Sequence, residues 1–317
     1  MENNDTKICL MVIYNHRYDK NIPRVEELYK GKFSHIFHIM PFYDGNKENV
    51  IPVYENSFYF SNYIAQAYQH LKNKGFTHFF VVADDMILNP VINENSLWDE
   101  TGIKKDECYI SGFLEMHKIK QWWGHIVSAI HFRPNLSGTE VSSSLPNIND
   151  AQNQFKKFGV ECKPLSWKLF LSSSLNSKFR ILKDWPIKKN MKWPIKRNFD
   201  YPLLGGYSDI VFITAGTMEK FAQYCGIFAA TRLFVEIAIP TSLALSAEKI
   251  CFGNNALPVA TNTKCIGNKA KLIGKTLWTK KEFSDLAEKY QNSLSELLKN
   301  YPKDTFFLHP VKLSMWK

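Results

Sequence analysis

The stretch Phe76-Thr77-His78-Phe79-Phe80-Val81-Val82-Ala83-Asp84-Asp85 decides how this chain is read. A run dominated by aromatic and β-branched side chains is strand material that buries both of its faces, and here two acids end it. Adjacent carboxylates beside an apolar run repel each other, and taking either out of water is costly. A divalent cation relieves both penalties, and carboxylate oxygens suit Mg²⁺ or Mn²⁺. The plainer alternative is that Asp84 and Asp85 cap the turn that runs on to Pro90.

Outward from this strand the pattern alternates. Lys7 to Tyr14 and Ser34 to Met40 are two more strand-like runs. Helical spacing covers Arg24 to Tyr29 and Phe58 to Asn73, where Tyr63, Ile64, Ala67, Tyr68 and Leu71 share a face before Gly75. Strands alternating with helices predict an α/β fold: a Rossmann-type, mostly parallel sheet flanked by helices. Such sheets bind ligands at the carboxyl ends of their strands, and Asn15, His16, Asp44, Asp84 and Asp85 all fall at such ends.

Beyond Pro90 the expectations are strands at Tyr109 to Glu115 and Ser128 to Arg133, then a polar loop from Leu136 to Asp150. A glycine-led turn opens Leu203 to Ile213, a third strand region. Helices follow at Met218 to Phe228, capped by Thr214 or Thr217, and at Val235 to Leu245. Glu282 to Lys299 reads as one amphipathic helix, so the C-terminal part is expected to be helical.

Composition narrows the class. The chain has 317 residues, 45% hydrophobic and 22% charged, the balance of a protein with a real core rather than a disordered one. No run reaches the roughly 18 apolar residues of a membrane helix, and the opening Met-Glu-Asn-Asn-Asp is no secretory signal. Six cysteines without a Cys-x-x-Cys pair suit free thiols in a reducing compartment, so a cytoplasmic location is expected.

The net charge is +10, yet Ala151 to Asp200 alone carries 12 Lys or Arg against three acids. That segment repeats Trp185-Pro186-Ile187-Lys188-Lys189-Asn190 as Trp193-Pro194-Ile195-Lys196-Arg197-Asn198. Proline and charge make a solvated surface insertion the first reading of this segment; tryptophan next to cations also suits an anionic membrane surface, with residues 180–200 as the contact. Nucleic acid is a poor fit, because no helix-turn-helix, zinc-finger, RNP or KH signature is present.

The opening strand Ile8 to Tyr14, the Phe79-to-Asp85 run, Gly206-Tyr207-Ser208-Asp209 and Phe234-Val235-Glu236 together resemble the GT-A glycosyltransferases, enzymes that use nucleotide-sugar donors and carry a metal-binding Asp-x-Asp motif. The chain departs from that motif in having Ala83 where the first Asp would stand. The resemblance implies a GT-A-like sheet with a basic insertion, transfer from a UDP-sugar to a glycan or lipid-linked acceptor, and a Mn²⁺ or Mg²⁺ ion on the diphosphate. It implies Asp85 as principal metal ligand, Asp84 on ribose or metal, His309 as a late metal ligand and Lys312 for a phosphate. It divides the chain into a nucleotide-sugar half (1–135), the loop and basic insertion (136–200) and an acceptor-binding, catalytic half (201–317).

An inverting transfer needs a base for the acceptor hydroxyl. Glu236 interrupts an apolar stretch, where burial raises a carboxyl pKa unless it is paired, for instance with Arg232 one turn earlier. Asp209 follows Gly205-Gly206, where glycine permits close backbone approach to a ligand. Asn15, His16, Arg17 and Asp44 are candidates for the base and ribose. Trp122, Trp123, Tyr43 and Tyr207 are candidates to stack on a sugar or uracil ring. Two other readings remain: a sugar-phosphate nucleotidyltransferase, although Asn15 to Lys20 lacks the glycines such enzymes place after their first strand, and a non-catalytic basic protein that binds membrane or nucleic acid.

Overall fold

The computed structural model describes residues 6–119, 123–166, 196–197, 199–253 and 265–317. Its elements in chain order are β1 (Ile8–Ile13), α1 (Ile22–Tyr29), β2 (His35–Pro41), β3 (Val50–Val53), α2 (Ser61–Leu71), β4 (His78–Ala83), β5 (Ile87–Leu88), α3 (Leu97–Thr101), β6 (Cys108–Ile110) and β7 (Leu114–Glu115). There follow α4 (Trp123–His131), α5 (Ile148–Lys157), β8 (Leu165–Ser166), β9 (Lys196–Arg197), β10 (Leu204–Gly205), β11 (Ile210–Thr214), α6 (Ala215–Ala230) and α7 (Val235–Ser246). The last are β12 (Ile250–Phe252), β13 (Asn268–Lys269), β14 (Ile273–Thr276), α8 (Lys280–Lys289), α9 (Leu294–Lys299) and β15 (Thr305–His309).

Eight strands form the central sheet in the order β13-β12-β6-β11-β4-β1-β2-β3. All neighbours in it are parallel except β11, which runs antiparallel to both β4 and β6. The protein is therefore α/β, with a mostly parallel sheet flanked by helices. Both faces are covered, as the near-continuous apolar strands require. Cys9, Met11, Ile13, Phe79 and Val81 point into one core with α2, α4, α5, α6 and α7. Ile8, Leu10, Val12, Phe80 and Val82 point into the other, with α1 and the C-terminal elements. A buried side chain of this size contributes about 1.5–3 kcal/mol, so neither face can be left bare.

Several elements differ from expectation. Residues 128–133 are not a strand: α4 covers them as far as His131, because Ile126, Ala129 and Ile130 fall at helical spacing on the first core. Tyr109 to Glu115 is split into β6 and β7, since Gly112 turns the chain at φ 157° and lets β7 pair with β10 instead. The polar loop ends early, where Asn147 caps α5 by accepting from the Asp150 amide. Thr214 is the N-cap residue of α6 but makes no side-chain cap bond. The long C-terminal helix is two, α8 and α9, broken where Gln291 and Asn292 take positive φ. The C-terminal part is also less helical than expected, because β14, β15 and β5 form a second sheet. Most of the basic segment, including Trp185 and Trp193, lies outside the described residues, as does Trp122. All six cysteines are free, and no helix among the described residues is long and apolar enough to cross a membrane.

Candidate active site

The two acids sit where β4 leaves the central sheet. The Met86 amide donates to the Ala83 carbonyl (3.1 Å), which closes a tight turn with Asp84 and Asp85 at its corners. Two tyrosines anchor the far side of that turn: Tyr29 donates to the Met86 carbonyl at 2.9 Å, and Tyr301 to the Ile87 carbonyl at 2.8 Å. The chain then enters β5, which pairs antiparallel with β15 (Phe307 opposite Leu88, Leu308 opposite Ile87). That pairing carries His309, the last residue of β15, to the acid turn: its Nε2 lies 2.9 Å from Asp85 Oδ1. His309 Nδ1 and the Tyr207 hydroxyl share a hydrogen bond.

Asp209 arrives by the exceptional strand. Because β11 runs antiparallel to β4, its beginning stands at the edge where β1 and β4 end, and the Ala83 amide donates to the Asp209 carbonyl at 3.0 Å. Asn15, Phe60, Ala83, Ser208 and Asp209 border a narrow crevice at this edge, too tight to admit water. Glu236 occupies the first turn of α7, where the helix dipole favours a carboxylate. Its backbone carbonyl accepts from the Gly206 amide (2.9 Å), which fixes the start of α7 beside the loop that carries Asp209.

The electrostatics of this cluster follow from burial without enough positive charge. Burial, reinforced by the charge of Asp85, pushes the Asp84 carboxyl up to about 7, although Asn21 donates to its Oδ2 at 3.0 Å. Burial likewise pushes Asp209 up to about 6; the His309 charge opposes that rise, while Glu236 and Asp85 add to it. Burial disfavours the charged form of His309, but Asp209 and Asp85 outweigh it and hold the imidazole above its ordinary pKa. Asp85 Oδ1 is shielded from solvent and faces the His309 imidazole at ion-pair distance, 2.9 Å.

The nucleotide candidates form a separate rim. Arg17 reaches Asp19 (3.0 Å) and Asp44 (2.7 Å) and lies over the Tyr43 ring, so the loops after β1 and β2 are tied together. Asn15, His16 and Lys312 are exposed. Only Asn15 of the four rim candidates lines the crevice itself.

No family model matches the chain, and no curated protein matches it.

Some assignments change on this geometry. Glu236 does not pair with Arg232, which turns away to Glu55 (3.0 Å); its partner is His125 of α4, hydrogen-bonded through Nε2. Gly206 is required, but the close approach is to the protein itself: a Cβ there would stand 2.7 Å from the Gly112 carbonyl and 2.9 Å from Pro240 Cγ. Tyr207 and Tyr43 are buried, and Tyr207 stacks on Phe307, so neither ring is free to hold a sugar or base. Asn21 and His125 went unnoticed in the sequence. Asn21 precedes Ile22-Pro23 as a helix cap should, yet its side chain makes no cap bond because it is committed to Asp84. Among the described residues, no group of three or more His, Cys, Asp or Glu is arranged to hold a metal ion.

Proposed function

We propose that the protein is a metal-assisted glycosyltransferase that moves a sugar from a nucleotide-diphosphate donor, a UDP-sugar, to a glycan or lipid-linked acceptor. The observation that carries this reading is the gathering of Asp84, Asp85 and Asp209 around His309, with a shielded Asp85 oxygen whose neighbouring cation is that one imidazole. An acceptor-only oxygen beside a second, reluctantly ionised carboxyl fits a hard cation better than it fits solvent. Asp85 and Asp84 would hold Mn²⁺ or Mg²⁺, with His309 beside them. Such ions commonly take one or two carboxylates and complete their shell with water and substrate phosphates, so a cluster of three protein ligands is not demanded. When bound, the ion supplies Lewis-acid stabilisation of the leaving diphosphate.

The remaining roles belong to side chains of the chain itself. Glu236, oriented by His125, accepts the proton of the acceptor hydroxyl; Asp209 is the second candidate for that task. Asn15, His16, Arg17 and Asp44 contact the nucleoside from the rim, and the exposed Lys312 offers a cation to a phosphate. Residues 180–200 would bring the enzyme to the cytoplasmic face of an anionic membrane, where lipid-linked acceptors reside. Isothermal titration with UDP tests the reading: saturable binding that requires Mn²⁺ or Mg²⁺ is expected, and an absence of binding with either ion present sinks it.

A further inference from the structure

We infer that the aromatic ledge between β2 and α7 is the subsite for the acceptor, and that its ligand is the pyranose rings of a neutral oligosaccharide. The inference rests on the reading of Glu236 as the acceptor-side carboxylate. Phe42, Tyr54 and Phe58 are 58%, 66% and 65% exposed and come from neighbouring loops, and grouped exposed rings of this kind mark interaction surfaces. All three follow the carboxyl ends of β2 and β3, on the same edge as the acid turn. They stand in two pairs: Phe42 against Tyr54 with centroids 6.3 Å apart, and Phe58 against Phe234 at 6.1 Å. The second pair leads inward, since Phe234 meets the edge of the His125 ring at 4.9 Å and His125 holds Glu236.

Phe42 adds an independent observation. Its φ of 55° lies in the left-handed region, where a bulky side chain is strained, and its neighbours Pro41 and Tyr43 are both buried. The backbone is thus bent to turn one ring outward, and strain of this kind concentrates where ligands are held. The chemistry of the ledge selects the ligand. Aromatic faces carry negative charge and attract the partly positive C–H face of a sugar ring. Polar groups alternate with the rings: Glu55 and Arg232 pair at 3.0 Å, and Arg232 lies over Tyr59. A hydroxylated ligand uses both kinds of contact, and a hydrocarbon chain or an apolar helix would leave that ion pair unserved.

The test uses the full chain without donor or metal, titrated by calorimetry with cellohexaose, maltohexaose and chitohexaose. At least one is expected to bind, with Phe58→Ala weakening it roughly tenfold, Phe42→Ala and Tyr54→Ala less, and Phe58→Trp restoring it. UDP–Mn²⁺ affinity in the same variants separates the two claims: unchanged donor binding with lost sugar binding supports the ledge, and sugar binding without donor binding supports the ledge while removing the transferase. The inference is overturned if none of the three sugars binds at millimolar concentration, if the alanine variants bind them as wild type does, or if the rings prove necessary only for phospholipid vesicles.

Discussion

Two sets of carboxylates stand at the carboxyl edge of one sheet and ionise in opposite directions. On the rim, hydrogen bonds from Arg17 hold Asp19 and Asp44 below the usual carboxylate range, and both acids remain open to solvent. In the buried acid cluster, burial, reinforced by the charge of Asp85, drives Asp84 and Asp209 up to about 7 and about 6, with one imidazole set against them. The rim has met its own charge requirement within the chain. The buried acid cluster has not, and under the proposed function that deficit is what a bound cation would meet. Arginine decides the contrast: Arg17 serves the rim, whereas among the described residues Asp84 and Asp209 have the His309 imidazole against them.

The sharpest way to break this comparison is to remove charge from the cleft. Glu236→Gln is expected to lower acceptor transfer by about 10²–10⁴, the usual worth of a positioned general base, while UDP–Mn²⁺ binding stays intact in a calorimeter. Asp85→Ala should cost about 10²–10³ in transfer rate and abolish the metal dependence of UDP binding.

A third prediction concerns stability, measured by urea unfolding in EDTA. The folded pKa of Asp84 is raised from 3.8 to about 7, so the native state holds more protons than the unfolded chain between those values, and stability falls as pH rises through that window. Asp84→Asn keeps an acceptor for Asn21 and cannot ionise. It should therefore be more stable than wild type by about 1–3 kcal/mol at pH 8 and nearly equal to it at pH 3.5. The smallest effect belongs to the rim: Asp44→Asn should leave the melting curve at pH 8 unchanged, since exposed ion pairs contribute little, and weaken UDP binding by a few-fold. A rim variant more damaging than a cleft variant would reverse the comparison.

Much of the fold was legible because burial on two faces writes itself into strand composition. β1, β2 and β4 emerged within two residues at each end, and so did the acid turn. What escaped was pairing over distance. Nothing in Ile210–Thr214 encodes that β11 runs against its neighbours, yet that direction brings Asp209 to the edge where Asp84 stands. The His125–Glu236 bond joins positions 111 residues apart, and the strand expected at Ser128 to Arg133 is the end of α4 because Ala129 and Ile130 suit either state. His309 was singled out without any reason for its place, which comes from β5 pairing with β15. The alternative of a Glu236–Arg232 pair fails because local helical spacing lost to Glu55, reached from the other side of the fold.

The pairing of Leu88 with Phe307 also has a consequence for how the cleft comes into being. A ribosome emits the acid turn more than two hundred residues before the imidazole that faces it. Through most of synthesis Asp84 has only Asn21, Asp85 waits without its imidazole, and a nascent chain that stops short of residue 305 has a sheet to fold but an unfinished acid cluster.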